Sequence, residues 1–216
     1  MGRYKKGIET KNNITNAAKS LFYLQGLNST TVQKIADLAS VNLGLLSYYF
    51  KTKNNIIIAI YSDFLNSIRE TVLNELGKDK ESCLVNMVII RIFYDVVFSD
   101  SNNLRFFRET IEKDIIHNLL EEVTINNYIN ISESNGISIE KDKLKTIAIF
   151  ESGGRINLLK NYFNNNFEMD LDNMLNTIIS NTPKLLCVNK DEIHKHMVDS
   201  KKIQESMDYS KLKLLI

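Results

Sequence analysis

Apolar side chains at Ile14, Ala17, Ala18, Leu21 and Phe22 fall at i, i+3, i+4, i+7 and i+8, the spacing of one helix face. The pattern predicts a helix ending near residue 25, and Gly26 followed by Leu27 predicts a C-terminal stop of the Schellman kind. Thr30, with Gln33 three residues later, predicts a capping box that opens a second helix. Its buried stripe is Val32, Ile35, Ala36 and Ala39. Ser40-Val41-Asn42 reads as a turn, with Asn42 as the N-cap of a short third helix. In that helix Leu46, Tyr49 and Phe50 share an inward face, leaving Gly44, Leu45, Ser47 and Tyr48 outward.

Beyond Lys53, the positions Ile56, Ile57, Ala59, Ile60, Phe64, Ile68, Val72 and Leu76 predict one long helix ending near Gly77. Residues 84–98 are apolar at 12 of 15 positions, which predicts a helix buried on every side. Further helices are expected over about 103–112, 115–133, 140–164, 170–187 and 190–206. One proline and eight glycines leave few breakers, and no stretch alternates with period two long enough to predict a strand. The expected fold is all-α, with about nine or ten helices. Residues 1–53 would form one domain and residues 54–216 a larger helical one.

The net charge of +1 conceals a division. Residues 1–53 carry Arg3, Lys5, Lys6, Lys11, Lys19, Lys34, Lys51 and Lys53 against Glu9 and Asp37, so this end is basic and the remainder acidic. A basic end on an acidic body predicts contact with a polyanion. Arg3, Lys5, Lys6 and Lys11 would form either an arm reaching phosphate or the minor groove, or a disordered tail. Cys83 and Cys187 are too few and too far apart for a disulfide framework or a zinc ribbon, so a reducing cytoplasm is expected. No apolar run approaches the roughly 18 residues that span a bilayer. The first residues also lack the apolar core of a secretory signal, so no membrane association is expected.

Helix, tight turn and short helix make a helix-turn-helix, whose second helix can enter the DNA major groove. From Ile14 to Ile56 the chain resembles the DNA-binding domain of TetR-family regulators. The resemblance rests on Ile14-x-x-Ala17-Ala18-x-x-Leu21-Phe22, Gly26, Thr30-Thr31-Val32, Ile35-Ala36, Ala39, Val41, Gly44 and Leu46, completed by Tyr48, Tyr49, Phe50, Lys51, Lys53 and Ile56. Over the rest of the chain it lies in length and helical layout alone.

The resemblance implies a three-helix DNA-binding head and a ligand-binding and dimerisation domain. It implies a homodimer on a palindromic operator in double-stranded DNA, usually a repressor released by a small-molecule effector. By family position, Thr31 and Lys53 would touch backbone phosphate. Asn42, Leu43, Gly44, Leu45, Ser47, Tyr48 and Tyr49 would lie in or beside the groove, and Gly44 would let the backbone approach DNA closely. Relatives often carry Lys or a polar residue where this chain has Leu43, and Ser or Thr where it has Leu45. An aromatic residue is common where Ser47 stands, and Gly where Ser40 stands. Leucines pack against thymine methyls, so an A·T-rich operator is expected.

Arg91 and Asp95 stand four residues apart on the apolar helix. They pair, with each other or with another helix, or Arg91 faces a pocket and binds an anionic effector group. Arg91, Tyr94, Phe98, Phe107, Tyr128 and Phe150 are the candidate pocket residues. Gly153-Gly154 within a helical pattern costs roughly 1 kcal/mol per glycine against alanine, which close helix–helix contact would offset. The stretch resembles the family's eighth helix, which with the ninth forms a four-helix dimer interface. Gly153, Gly154, Ile156, Leu159, Tyr162, Phe163, Met174, Leu175 and Ile178 are therefore interface candidates, with packing inside one protomer as the alternative.

His194 and His196 point apart on a helix, so no metal is expected. No Ser/His/Asp set, paired acidic motif or glycine-rich phosphate loop is present, so neither catalysis nor a cofactor is expected. The leading reading is a homodimeric, effector-responsive repressor. The alternative is a DNA-bound protein that recruits a protein partner without a small-molecule ligand.

Overall fold

The computed structural model describes residues 2–77, 82–166 and 168–216. Among them every regular element is a helix: α1 (Gly2–Gln25), α2 (Val32–Leu38), α3 (Leu43–Tyr49), α4 (Lys53–Leu76), α5 (Ser82–Phe98), α6 (Ser101–Glu112), α7 (His117–Ser134), α8 (Lys141–Phe163), α9 (Leu171–Leu185) and α10 (Lys190–Ser206).

The helix ends correct two expectations. Gly26 takes φ +79° and its N–H returns to the Phe22 carbonyl at 3.0 Å. The Leu27 N–H does not return to α1 as a Schellman stop requires; it donates to Glu109 Oε2 at 2.6 Å. The stop is thus the simpler left-handed motif. Likewise Thr31, not Thr30, caps α2, accepting the Lys34 N–H at 3.2 Å. Two adjacent threonines fit the capping pattern, and the end of α1 claims Thr30: it is buried and donates to the Gly26 carbonyl at 2.7 Å. Gln33 turns instead to Asp37 at 2.6 Å.

The Schellman pattern appears one helix later. The Val41 N–H reaches the Ala36 carbonyl at 3.0 Å and the Ser40 N–H reaches Asp37 at 3.1 Å. That holds Ser40 at φ +54°, a conformation glycine adopts without strain. Asn42 then caps α3, accepting the Leu45 N–H at 2.7 Å.

Two compact units result. The first comprises Met1–Phe64, Val96–Ile116 and Lys213–Ile216; the second comprises Leu65–Asp95 and His117–Leu212. The first unit runs past the division expected after residue 53 because α6 supplies part of its core. Phe106 stacks on Phe22 at 5.1 Å and on Tyr61 at 5.5 Å, and the buried Tyr61 hydroxyl pairs with Thr110 at 3.0 Å. Leu214 and Leu215 are buried as well. The second unit has its own core, built on Met87, Tyr128, Ile131, Leu144, Ala148 and Ile179.

Candidate nucleic-acid interface and a small cavity

Helix α3 is rooted by a few side chains. Leu46 is fully buried, and Phe50 is buried with the Lys11 ammonium 5.7 Å from its ring. The rest of the helix faces outward: Leu43 is 43% exposed, Leu45 37% and Tyr48 79%, with Asn42, Gly44 and Ser47 also exposed. Gly44 has a local reason to lack a side chain, because a Cβ there would stand 3.3 Å from the capping oxygen of Asn42. Tyr49 is half-buried, edge-on to Tyr48 at 5.2 Å, and its hydroxyl lies beside Gly7 of α1.

Of the two expected phosphate contacts, Thr31 is exposed and uses its oxygen as the α2 cap, keeping its O–H free to donate. Lys53 is committed inward. Its ammonium donates to the Leu27 carbonyl at 2.9 Å and the Thr30 carbonyl at 2.8 Å, leaving one of its three donors uncommitted. Partial burial, then repulsion from Lys113, lowers its pKa, opposed by Glu109. Lys5 and Lys6 are exposed on α1, which is helical where an arm or tail was expected; the Arg3 side chain lies outside the described residues.

Sequence reasoning missed what holds this turn. Glu109 takes the Leu27 N–H and, at 3.3 Å, the Asn28 amide. Arg105 donates to the Tyr23 carbonyl at 2.6 Å, and the Tyr23 hydroxyl donates to Asp100 at 2.9 Å. All three partners lie more than 70 residues downstream in sequence, where no local pattern could flag them.

The pocket candidates do not converge. Arg91 does not pair with Asp95: its Nε donates to Ser200 at 2.9 Å and its Nη2 to the Met197 carbonyl at 3.2 Å. Asp95 accepts instead from the Tyr209 hydroxyl at 2.9 Å. Burial lowers the Arg91 pKa, opposed by Asp172 and Glu205, and the side chain borders an open groove between α9 and α10. Phe98 and Phe107 fall in the first unit, where Phe107 is core. Tyr128 is core in the second, and Phe150 is 77% exposed. These aromatics share helical spacing, but their helices turn different faces inward.

Of the six, Tyr94 alone lines a small, partly enclosed cavity in the second unit, with Ile89, Phe93 and Leu120 on the apolar side and Thr124, Asn127 and Arg155 among the polar groups. Burial first, with Glu151 adding and Arg155 opposing, pushes the Tyr94 hydroxyl up to about 12. Arg155 Nη2 donates to Thr124 Oγ1 at 2.7 Å and to Glu151 Oε2 at 3.1 Å. Burial raises the Glu151 pKa, partly countered by Arg155. The i, i+4 spacing of Glu151 and Arg155 was the available signal for this pair.

Four interface candidates, Ile156, Leu159, Met174 and Ile178, are buried inside the protomer and form its core. Tyr162, Phe163 and Leu175 are half-buried. A Cβ at Gly153 or Gly154 would meet nothing within 4 Å, so no close helix contact inside the protomer accounts for the pair. Beside it Ile149 is 52% exposed. Among the described residues no group of three or more His, Cys, Asp or Glu could hold a metal, and no helix is long and apolar enough to cross a membrane.

Residues 14–60 match the model of the bacterial regulatory proteins of the tetR family. The chain is 28% identical over 118 residues to the probable HTH-type transcriptional regulator YttP of Bacillus subtilis (strain 168), covering 52% of this chain and 56% of that protein. It is 39% identical over 51 residues to the HTH-type transcriptional regulator BetI of Klebsiella pneumoniae (strain 342), covering 24% of this chain and 26% of that protein. The chain thus spans about half, or a quarter, of these relatives' lengths. In fold it is similar to RolR in complex with resorcinol, at TM-score 0.62 and 14% identity, covering 90% of this chain and 95% of that one. It is also similar to Thermus thermophilus FadR, a repressor in complex with lauroyl-CoA, at TM-score 0.53 and 16% identity, covering 90% and 93%.

Proposed function

We propose that this chain, whose residues 14–60 match the tetR family model, is a cytoplasmic DNA-binding transcriptional regulator of that family acting as a homodimeric repressor. One α3 from each protomer enters successive major grooves of a palindromic operator. The observation that carries this is a seven-residue helix anchored by Leu46 while Leu43, Leu45 and Tyr48 stand open to solvent. A groove about 12 Å wide admits one such helix. The leucines offer no hydrogen bonds to base edges and pack on thymine methyls, which favours an A·T-rich half-site. Exposed Ile149 and Phe150, beside the open Gly153-Gly154 surface of α8, support pairing with a second copy. The cavity lined by Tyr94 and Arg155 supports a small-molecule effector over recruitment of a protein partner. Its ligand would act by shifting the two heads away from the roughly 34–36 Å separation of adjacent major grooves.

Selection of binding sites from a random duplex library tests the reading. Enrichment of an A·T-rich inverted repeat, bound with an affinity that falls steeply with salt, is expected. Enrichment of G·C-rich half-sites would overturn the leucine readout, and no inverted repeat at all would overturn the dimeric reading.

A further inference from the structure

Lys213–Ile216 belong to the first unit, although the residues leading to them belong to the second. Leu214 is fully buried and Leu215 is 3% exposed, whereas Ile216 is 53% exposed. Neither leucine lies in a helix, so no turn of its own helix covers it. Both are buried by the unit they join.

The approach to these leucines is held at several points. The Tyr209 hydroxyl donates to Asp95 Oδ2 at 2.9 Å and accepts from the Gln204 amide at 2.7 Å. Asp208 accepts from the Ser210 N–H at 3.1 Å and from its hydroxyl at 2.7 Å. The Leu212 N–H then returns to the Tyr209 carbonyl at 2.9 Å. Ordering a chain outside helices costs conformational entropy, and burial of two leucines at its end offsets that cost.

Lys213 places the segment near the joint between α1 and α6. Asp100 caps α6, accepting the Asn102 and Asn103 N–H groups at 2.9 and 2.8 Å, and it also takes the Tyr23 hydroxyl of α1 at 2.9 Å. Burial works against its charge, but these hydrogen bonds and the positive charge of Lys213 hold its carboxyl below the usual carboxylate range. Lys213 therefore stands close to the bond that ties α1 to α6, with both leucines next to it in sequence. The same α1 sets Lys11 over Phe50 at the end of α3, so the setting of α1 bears on α3.

Resting on the DNA-binding reading above, we propose that Leu214 and Leu215 are positioning residues for DNA recognition: docked in the first unit, they set α1–α3 for the operator. Undocking them lowers DNA affinity while the chain stays folded.

The test uses the full chain with Leu214→Ala and Leu215→Ala combined. Well below its thermal midpoint, affinity for a selected operator should fall by about tenfold, or roughly 1.4 kcal/mol. A role confined to stability would lower the midpoint and leave that affinity unchanged, because nearly every molecule is still folded. Hydrogen exchange without DNA should quicken in α1, α2 and α6 and stay as it was in α7–α9. Leu214→Met with Leu215→Met conserves volume and should keep affinity within a few fold of native. Ile216→Ala should change neither readout. Should the double alanine variant unfold, the single variants carry the test at roughly threefold each.

Unchanged operator affinity in the folded alanine variants overturns the proposal, whatever happens to the midpoint. Unchanged exchange in α1, α2 and α6 overturns it as well. A native chain that binds no selected duplex removes the DNA-binding reading and the positioning role with it; faster exchange in the variant then leaves the leucines as core alone.

Discussion

The turn between α1 and α2 and the buried stretch of α8 beside the cavity each use one arginine and one glutamate, to opposite ends. At the turn, Arg105 and Glu109 terminate on backbone, taking the Tyr23 carbonyl and the Leu27 N–H. At the cavity, Arg155 is spent on side chains, Glu151 and Thr124. Helix ends carry unpaired backbone groups that something must satisfy, so charged side chains spent there fix geometry. Side chains spent on each other fix a charge balance and leave donors over. Arg105 and Arg155 each keep a buried Nε without a hydrogen-bond partner, and that of Arg105 lies 3.4 Å from where a Cβ on Gly26 would stand. The first arrangement braces a turn; the second balances a buried charge.

The comparison breaks most sharply at Glu151. Glu151→Ala strands Arg155 in the interior and should cost about 3–5 kcal/mol in urea unfolding. Glu151→Leu combined with Arg155→Met should cost far less, since the penalty belongs to the unpaired charge. Burial holds the Glu151 pKa above the usual carboxylate range, so the folded chain keeps that proton to higher pH than the unfolded chain. Its contribution to stability therefore declines as pH rises from the ordinary glutamate range through the folded value. Glu151→Gln should flatten that slope.

At the brace the expected losses are smaller. Glu109→Ala leaves the Leu27 N–H without its acceptor and should cost about 1–3 kcal/mol, read by thermal unfolding of the full chain. Lys53→Ala separates two roles. If the uncommitted N–H of Lys53 touches phosphate, DNA affinity should fall alike for all sequences and the salt slope should drop by about 1. An unchanged slope with lower affinity would leave Lys53 as a brace alone. Ser40→Gly has the smallest effect and the opposite sign, relieving the left-handed backbone by about 1 kcal/mol.

Most of the fold could be read from the chain because few residues break a helix and apolar positions recur every three or four. The Asn42 cap and the inward Leu46 and Phe50 were legible for the same reason. Which of two threonines caps α2 was not, since both fit the pattern and a tertiary bond to Gly26 decides between them. Phe107 and Phe150 could not be placed from spacing, because rotation of α6 and α8 about their axes depends on what packs against them. Arg155 was overlooked although its partner stood four residues away; a charged pair within a mixed helix looks like an ordinary solvated face until burial is known.

Tyr48 has a further consequence, an optical one. The chain has no tryptophan, so its intrinsic emission comes from nine tyrosines. Tyr61 is buried against Phe106 and hydrogen-bonded, while Tyr48 projects from α3 at 79% exposure. Bases stacking near that phenol would quench it, so the proposed docking of α3 on DNA would carry its own unlabelled fluorescent signal, which Tyr48→Phe should weaken.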